Sequence, residues 1–210
     1  GGLTMAVISN AVTIADAGAF SVGLGDQVLI KSFVLDNVSS TITLVHGSSG
    51  VVLDDTYPFY RFVFTSIHPG SDNIDFQVNF RDGGSAYDAP KTTSSFYAFE
   101  GESTDSAFSY NASFDIAQGT GVQGLAGSLG NGNDESASGE LLLFNPSSTT
   151  YIKHFMAKTQ YYNRSNYSQI YHIGGYCNTT AAIDGVQFSA SSGNIDSGTI
   201  KMYGIKGAAN

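Results

Sequence analysis

The stretch Ile74-Asp75-Phe76-Gln77-Val78-Asn79-Phe80 alternates apolar and polar residues without a slip. Such a period of two is what a strand with one buried and one wet face requires. Just before it, Tyr60-Arg61-Phe62-Val63-Phe64-Thr65-Ser66-Ile67 is aromatic and β-branched, and His68 to Asn73 between them is loaded with turn formers. The pair is expected to form an antiparallel hairpin. Arg81-Asp82-Gly83-Gly84-Ser85 then ends the second strand in a loop.

Downstream the same signal recurs at short intervals. Phe108 to Ile116 alternates again and is expected to be one strand. Glu140-Leu141-Leu142-Leu143-Phe144 is a short apolar run stopped by Asn145-Pro146, as in a central strand. Tyr151 to Thr159, Gln169 to Tyr176, Gly185 to Ala190 and Thr199 to Ile205 complete the set, with Gly193 and Gly198 expected to bracket the last turn. No segment has helical periodicity. The expected fold is all-β with little or no helix: an antiparallel β-sandwich of jelly-roll or lectin-like type.

Composition agrees with this reading. The chain has 210 residues, 41% of them hydrophobic, enough for one real core. Only 13% are charged, while 25 are Gly, 14 Phe and 12 Tyr, and the four Glu leave too few helix formers for an all-α fold. Nine basic against 18 acidic residues give a net charge of −9, the wrong sign for a nucleic-acid ligand. A single Cys177 excludes an intrachain disulfide framework and a thiolate zinc cluster. No apolar run is long enough for a membrane-spanning helix, and a soluble chain without membrane insertion is expected. The chain opens Gly1-Gly2 without Met, which reads as a processed or internal start.

Residues 1–30 differ from the rest. Leu3 to Ala15 is apolar and β-branched, and Ala17 to Gly25 is small and Gly-rich. They form either the first strands or an arm that docks on a neighbour, with residues 31–210 as the sandwich. Between Lys91 and Lys153 there is no basic residue, yet Glu100, Glu102, Asp105, Asp115, Asp134, Glu135 and Glu140 all fall there. Solvated loops are the plain reading; an acidic outward face is the sharper one.

Catalytic constellations are hard to find. His46, His68, His154 and His172 show no zinc-ligand spacing, although His154 and His172 are placed where they would face each other across strands. Asp54 and Asp55 point to opposite faces of a strand, and Glu100 with Glu102 has no catalytic motif around it. The chain is read as no enzyme, with no cofactor and no bound metal. Asn131-Gly132-Asn133-Asp134-Glu135 faintly resembles a calcium loop, so Asn131, Asn133, Asp134 and Glu135 are kept as a possible cation loop. The G-x-G-x-x-G string Gly119 to Gly124 has no helix after it and carries no phosphate-site meaning. Five Asn-X-Ser/Thr sequons, at Asn37, Asn111, Asn163, Asn166 and Asn178, are what a Ser/Thr/Asn-rich chain yields by chance.

One segment has the chemistry of a contact surface. Between Tyr161 and His172 stand Tyr161, Tyr162, Asn163, Arg164, Asn166, Tyr167, Tyr171 and His172. Aromatic faces stack on sugar rings or protein side chains, and amides and guanidinium reach hydroxyls. The alternative is a hairpin whose tyrosines cover a sheet face.

The last twenty-odd residues resemble a known group. The string Ser191-Ser192-Gly193-Asn194-Ile195-Asp196-Ser197-Gly198-Thr199-Ile200-Lys201-Met202-Tyr203-Gly204-Ile205 is similar to the closing S-S-G-N-I-x-S-G-T-I-K-L-Y-G-I of small β-rich structural proteins from tailed, often marine, bacteriophages. Met202 stands where that string has Leu. Tyr57-Pro58-Phe59-Tyr60-Arg61-Phe62-Val63-Phe64 looks like the group's Y-x-x-Y-R/K-F-V-F strand, so the resemblance spans residues 50–206. It implies a virion-surface component of tail-fibre or capsid-decoration kind, partnered by other virion proteins and with no catalytic residues. Its low-charge strands suit symmetric contacts, and a homo-oligomer, preferably a trimer, is expected. The second reading is an adhesin for a host surface glycan through Tyr161 to His172; the third is a glycan-cleaving enzyme.

Overall fold

A computed structural model describes residues 7–9, 12–16, 19–20, 26–37 and 39–207. Its regular elements are all strands, and every pairing is antiparallel. The all-β expectation is met. Strands β1 (Val7–Ser9), β2 (Val12–Asp16) and β3 (Ala19–Phe20) form a three-stranded sheet of their own. The choice between arm and first strands turns on side chains outside the described residues. The boundary at residue 30, however, falls inside a strand of the main sheet.

That main sheet has thirteen strands and curls over into two layers. The larger layer runs β4 (Gln27–Leu35), β16 (Ile195–Ile205), β6 (Phe59–Pro69), β12 (Ala137–Phe144), β13 (Lys153–Asn163), β14 (Tyr167–Cys177) and β8 (Lys91–Gly101). Both β9 (Ser106–Tyr110) and β10 (Ile116–Gly119) pair with the outer edge of β8. The smaller layer is β11 (Gln123–Leu129), β7 (Ile74–Arg81), β15 (Gly185–Ala190) and β5 (Thr41–Val45). A single pairing, Leu129 with Asn163, joins the two layers.

Period-two alternation explains why they face one another. On β6, Tyr60, Phe62 and Phe64 are fully buried, while Phe59, Arg61 and Val63 between them are only half-buried. Rings from both layers meet in the middle: Phe64 lies 5.2 Å from Phe76, Phe62 5.7 Å from Phe188, and Phe80 4.9 Å from Phe155. Each such pair adds about 0.5–1.5 kcal/mol to its burial. As its apolar run suggests, β12 is central, held between β6 and β13. In β16, Ile200 and Met202 are fully buried and Lys201 is exposed, as its alternation requires.

Four local expectations are corrected. The strands around 60–67 and 74–80 do not pair: β6 sits between β16 and β12, β7 between β11 and β15. The connection after Pro69 is an arch that carries the chain from one layer to the other, and its turn residues cannot tell an arch from a hairpin. The 108–116 run is not one strand. It breaks at Asn111, whose side-chain oxygen accepts the Ser113 N–H at 2.9 Å and whose carbonyl accepts those of Phe114 and Asp115. Gly198 does not close a turn either but sits inside β16 at a positive φ of 124°, in a bulge against β6. His154 lies opposite Tyr176 and His172 opposite Lys158, so the two histidines do not face each other.

Candidate functional site

The smaller layer has four strands and leaves part of the larger layer's inner face open. The β13–β14 hairpin, which carries the Tyr-rich segment, ends at that opening. Its tight turn is fixed by Asn163, whose Oδ1 accepts the backbone N–H of Ser165 at 2.8 Å, and by Asn166 in the left-handed region at φ 61°.

Alternation then divides the eight candidate contact residues. Tyr161, Asn163 and Tyr171 are buried on the inner face, and Tyr161 and Tyr171 stack at 5.9 Å. Tyr167 is half-buried on that same face, stacked on Phe99 at 4.7 Å. Tyr162 and His172 point the opposite way, and Arg164 and Asn166 are exposed at the tip. The Tyr162 hydroxyl reaches Glu102 Oε1 at 3.2 Å and Asn166 Oδ1 at 3.1 Å. One continuous Tyr161-to-His172 contact surface therefore does not exist: a strand cannot turn successive side chains to the same side.

What the inner half of this segment does build is a cleft of about 290 Å³ lined by residues of both layers. Asn163, Gln169 and Tyr171 line it from the larger layer, Asp75, Gly127 and Ser128 from the smaller one. The 111–115 turn closes one side, because Phe114 folds onto β11 where Gly124 and Gly127 have no side chain; a Cβ on Gly124 would lie 2.5 Å from the Phe114 ring. Tyr97 completes the wall, its ring 5.3 Å from that of Tyr171. Three of its polar side chains are braced. Asn111 Nδ2 donates to the Tyr171 hydroxyl at 2.6 Å, Asn163 Nδ2 to Gln169 Oε1 at 2.9 Å, and the Ser128 N–H to Asp75 Oδ1 at 3.1 Å. Burial raises the pKa of the Tyr171 hydroxyl, so it stays protonated.

A second feature lies on the outer face of the larger layer. Glu140, Lys158, His172, Phe96 and Tyr110 form one cross-strand row. His172 stacks on Phe96 at 5.1 Å, and Phe96 lies 5.6 Å from Phe108. In the adjacent row Gly174 carries no side chain, and a hollow of about 320 Å³ opens there beside Leu142, Met156 and Phe96. Phe108 is 74% exposed and Met156 55%, a large apolar outlay on a sheet face.

The cation loop reads differently in three dimensions. Asn131, Asn133 and Asp134 are exposed, but Glu135 is buried and its Oε2 accepts the Gly132 N–H at 2.5 Å. The loop's own backbone occupies its best ligand. Among the described residues no group of three or more His, Cys, Asp or Glu converges as a metal site. Nor do the acidic residues from Glu100 to Glu140 share one face: Glu140 pairs with Arg61 at 2.6 Å on the outer sheet surface, and Glu135 is turned inward.

Sequence reasoning missed a buried row, Lys153, Cys177 and Lys91, aligned across β13, β14 and β8. All three are fully buried. Lys91 Nζ donates to the carbonyls of Ala89 and Gly121, and Lys153 Nζ to those of Thr179 and Ala181, tying loops to the sheet end. Burial pushes the Lys91 ammonium down to about 8. The signal was available: each lysine shares the inward parity of its strand.

No family model, no curated protein and no solved structure matches the chain.

Proposed function

We propose that the protein is a non-enzymatic structural component of a bacteriophage virion, displayed on the particle surface as tail fibre or capsid decoration and assembled as a homo-oligomer. The observation that carries this reading is the outer sheet face, where Phe96, Leu142 and Met156 line the Gly174 hollow and Phe108 and Tyr110 stand exposed on the neighbouring strand. Aromatic and Met side chains exposed together on one sheet face, rimmed by Glu140 and Lys158, are the composition of a protein–protein contact centre. The closing string from Ser191 to Ile205 supports the virion assignment, and in the fold its Thr199-to-Ile205 part is an inner strand paired on both sides, as a fold-locking terminus should be. Trimeric assembly remains the preferred stoichiometry.

Gold-labelled antibody raised against the purified protein should decorate intact particles of the phage that encodes it. Unlabelled particles would overturn the surface assignment. In solution, Phe108→Ser with Met156→Lys should reduce the mass measured by light scattering while leaving the far-ultraviolet spectrum unchanged, and an unchanged mass would remove the outer face from the assembly.

A further inference from the structure

The inner cleft is separate from the outer face and has different chemistry. Its lining mixes a carboxylate, three amide side chains and the rings of Tyr97, Phe114 and Tyr171. That combination restricts what can fill it.

Consider charge first. No Lys or Arg lines the cleft, so an anionic ligand would meet Asp75 with nothing to neutralise it. An ammonium ligand would need rings standing around an empty centre. Here the rings pack on each other instead, Tyr171 lying 5.2 Å from Phe114, 5.3 Å from Tyr97 and 5.9 Å from Tyr161. A neutral ligand is left, and it must both donate and accept.

Hydrogen-bonding capacity points the same way. Asp75 spends Oδ1 on the Ser128 N–H, while among the described residues its Oδ2 has no partner. Gln169 accepts through Oε1 from Asn163, and its amide nitrogen donates to no described residue although the residue is only 8% exposed. The Tyr97 hydroxyl is likewise unengaged among the described residues. An acceptor, a donor and a group able to do either are thus turned loose in one hollow, beside the Ser113 and Ser128 hydroxyls. Vicinal hydroxyls, each one donor and two acceptor lone pairs, answer such a set, and the apolar face of a pyranose ring answers the aromatic wall. At about 290 Å³ the cleft lies at the small end of ligand pockets, where a single ring fits and a drug-sized molecule does not.

We propose that this cleft, between β7 and β11 on one side and β8, β13 and β14 on the other, binds one neutral pyranose ring of a saccharide. Asp75 accepts from one hydroxyl, Gln169 donates to its neighbour, and Tyr97 contributes ring edge and hydroxyl. Asn111 and Asn163 act as positioning residues, since both are spent on holding Tyr171, Gln169 and the two turns.

The test uses the full chain and a panel of glucose, galactose, mannose and N-acetylglucosamine at millimolar concentration. Saturation-transfer NMR should show transfer to at least one sugar, and titration calorimetry should give its Kd. Asp75→Asn and Tyr97→Phe keep shape and should each weaken that Kd about tenfold, the worth of one hydrogen bond to or from the site. Thermal melts of both variants should match the parent. Phe108→Ser on the outer face should leave the Kd unchanged. No transfer to any of the four sugars, an unaltered Kd in both cleft variants, or displacement of the sugar by choline would each overturn the proposal. The fate of the outer-face reading is independent of all three outcomes.

Discussion

Arg81 and Asp184 form a two-point ion pair across 103 residues of chain, Nε to Oδ1 at 2.8 Å and Nη2 to Oδ2 at 2.9 Å. The pair joins the end of β7 to the loop that leads into β15. The Gly83 N–H also donates to Asp184 Oδ1, at 3.3 Å, and the backbone of Asp184 bonds Arg81 and His46 on either side. Hydrogen bonding to Asp184 raises the Arg81 pKa further. Asp184→Ala should therefore cost about 1–2 kcal/mol, the range for a bidentate charged bond that solvent partly screens. Urea unfolding would read this as a lower midpoint at unchanged slope.

His68 should make stability depend on pH. Its Nδ1 lies 2.7 Å from Asp196 Oδ1 and its Nε2 2.9 Å from the Gly132 carbonyl, so the ring ties the end of β6 to both β16 and the 130–135 loop. Burial opposes the charge, but the Gly132 carbonyl, Asp196 and the nearby Glu135 outweigh it and raise the pKa above 6.5. A raised folded value means that the folded state holds the proton more tightly. The contribution is complete below pH 6.5 and is lost as the pH climbs through the higher folded value. Unfolding free energies of the parent should fall across that window, and those of His68→Gln should stay flat there.

Gly198 is a glycine that β16 cannot replace by a residue with a side chain without backbone strain. It sits at φ 124°, and a Cβ would lie 2.7 Å from the Ser66 carbonyl and 3.1 Å from Ile67. Gly47, at φ 77° in a surface turn, has open space around its Cβ position. Gly198→Ala combines strain with a backbone clash and should cost about 1–3 kcal/mol, whereas Gly47→Ala carries the strain alone. Parallel thermal melts should place Gly198→Ala clearly lower.

How much of this was legible in the sequence depends on the range of the interaction. Local period two placed β7 and β15 and the buried face of β16, because one side chain in two must be dry, and the continuous apolar run of Leu141 to Phe144 placed β12 at the centre. Pairing partners were not legible. Tyr60, Phe62 and Phe64 on β6 and Phe76, Val78 and Phe80 on β7 are equally apolar, so either a hairpin or two facing layers would bury them. The composition of the Tyr-rich segment points to a contact surface, but its parity decides otherwise: Tyr161, Asn163, Gln169 and Tyr171 share one face of a hairpin and go inward together. The cleft they help to build also needs Asp75, Tyr97 and Asn111, brought from other strands by register that no local pattern encodes.

Cys177 offers a last check on how closed the sheet end is. Burial pushes its thiol up to about 12, against the downward pull of the flanking Lys91 and Lys153 ammonium groups. Reactivity follows the thiolate, and a buried thiol with so high a pKa has almost none at pH 8. Native protein should resist iodoacetamide and become alkylated only when unfolded in urea, with mass spectrometry reporting one added group. Replacing Lys91 by Met keeps the volume but leaves the Ala89 and Gly121 carbonyls without their donor, so the loops should loosen and native-state alkylation should speed up. Rapid alkylation of the unmodified native chain would mean that the Lys153–Cys177–Lys91 row is open to solvent.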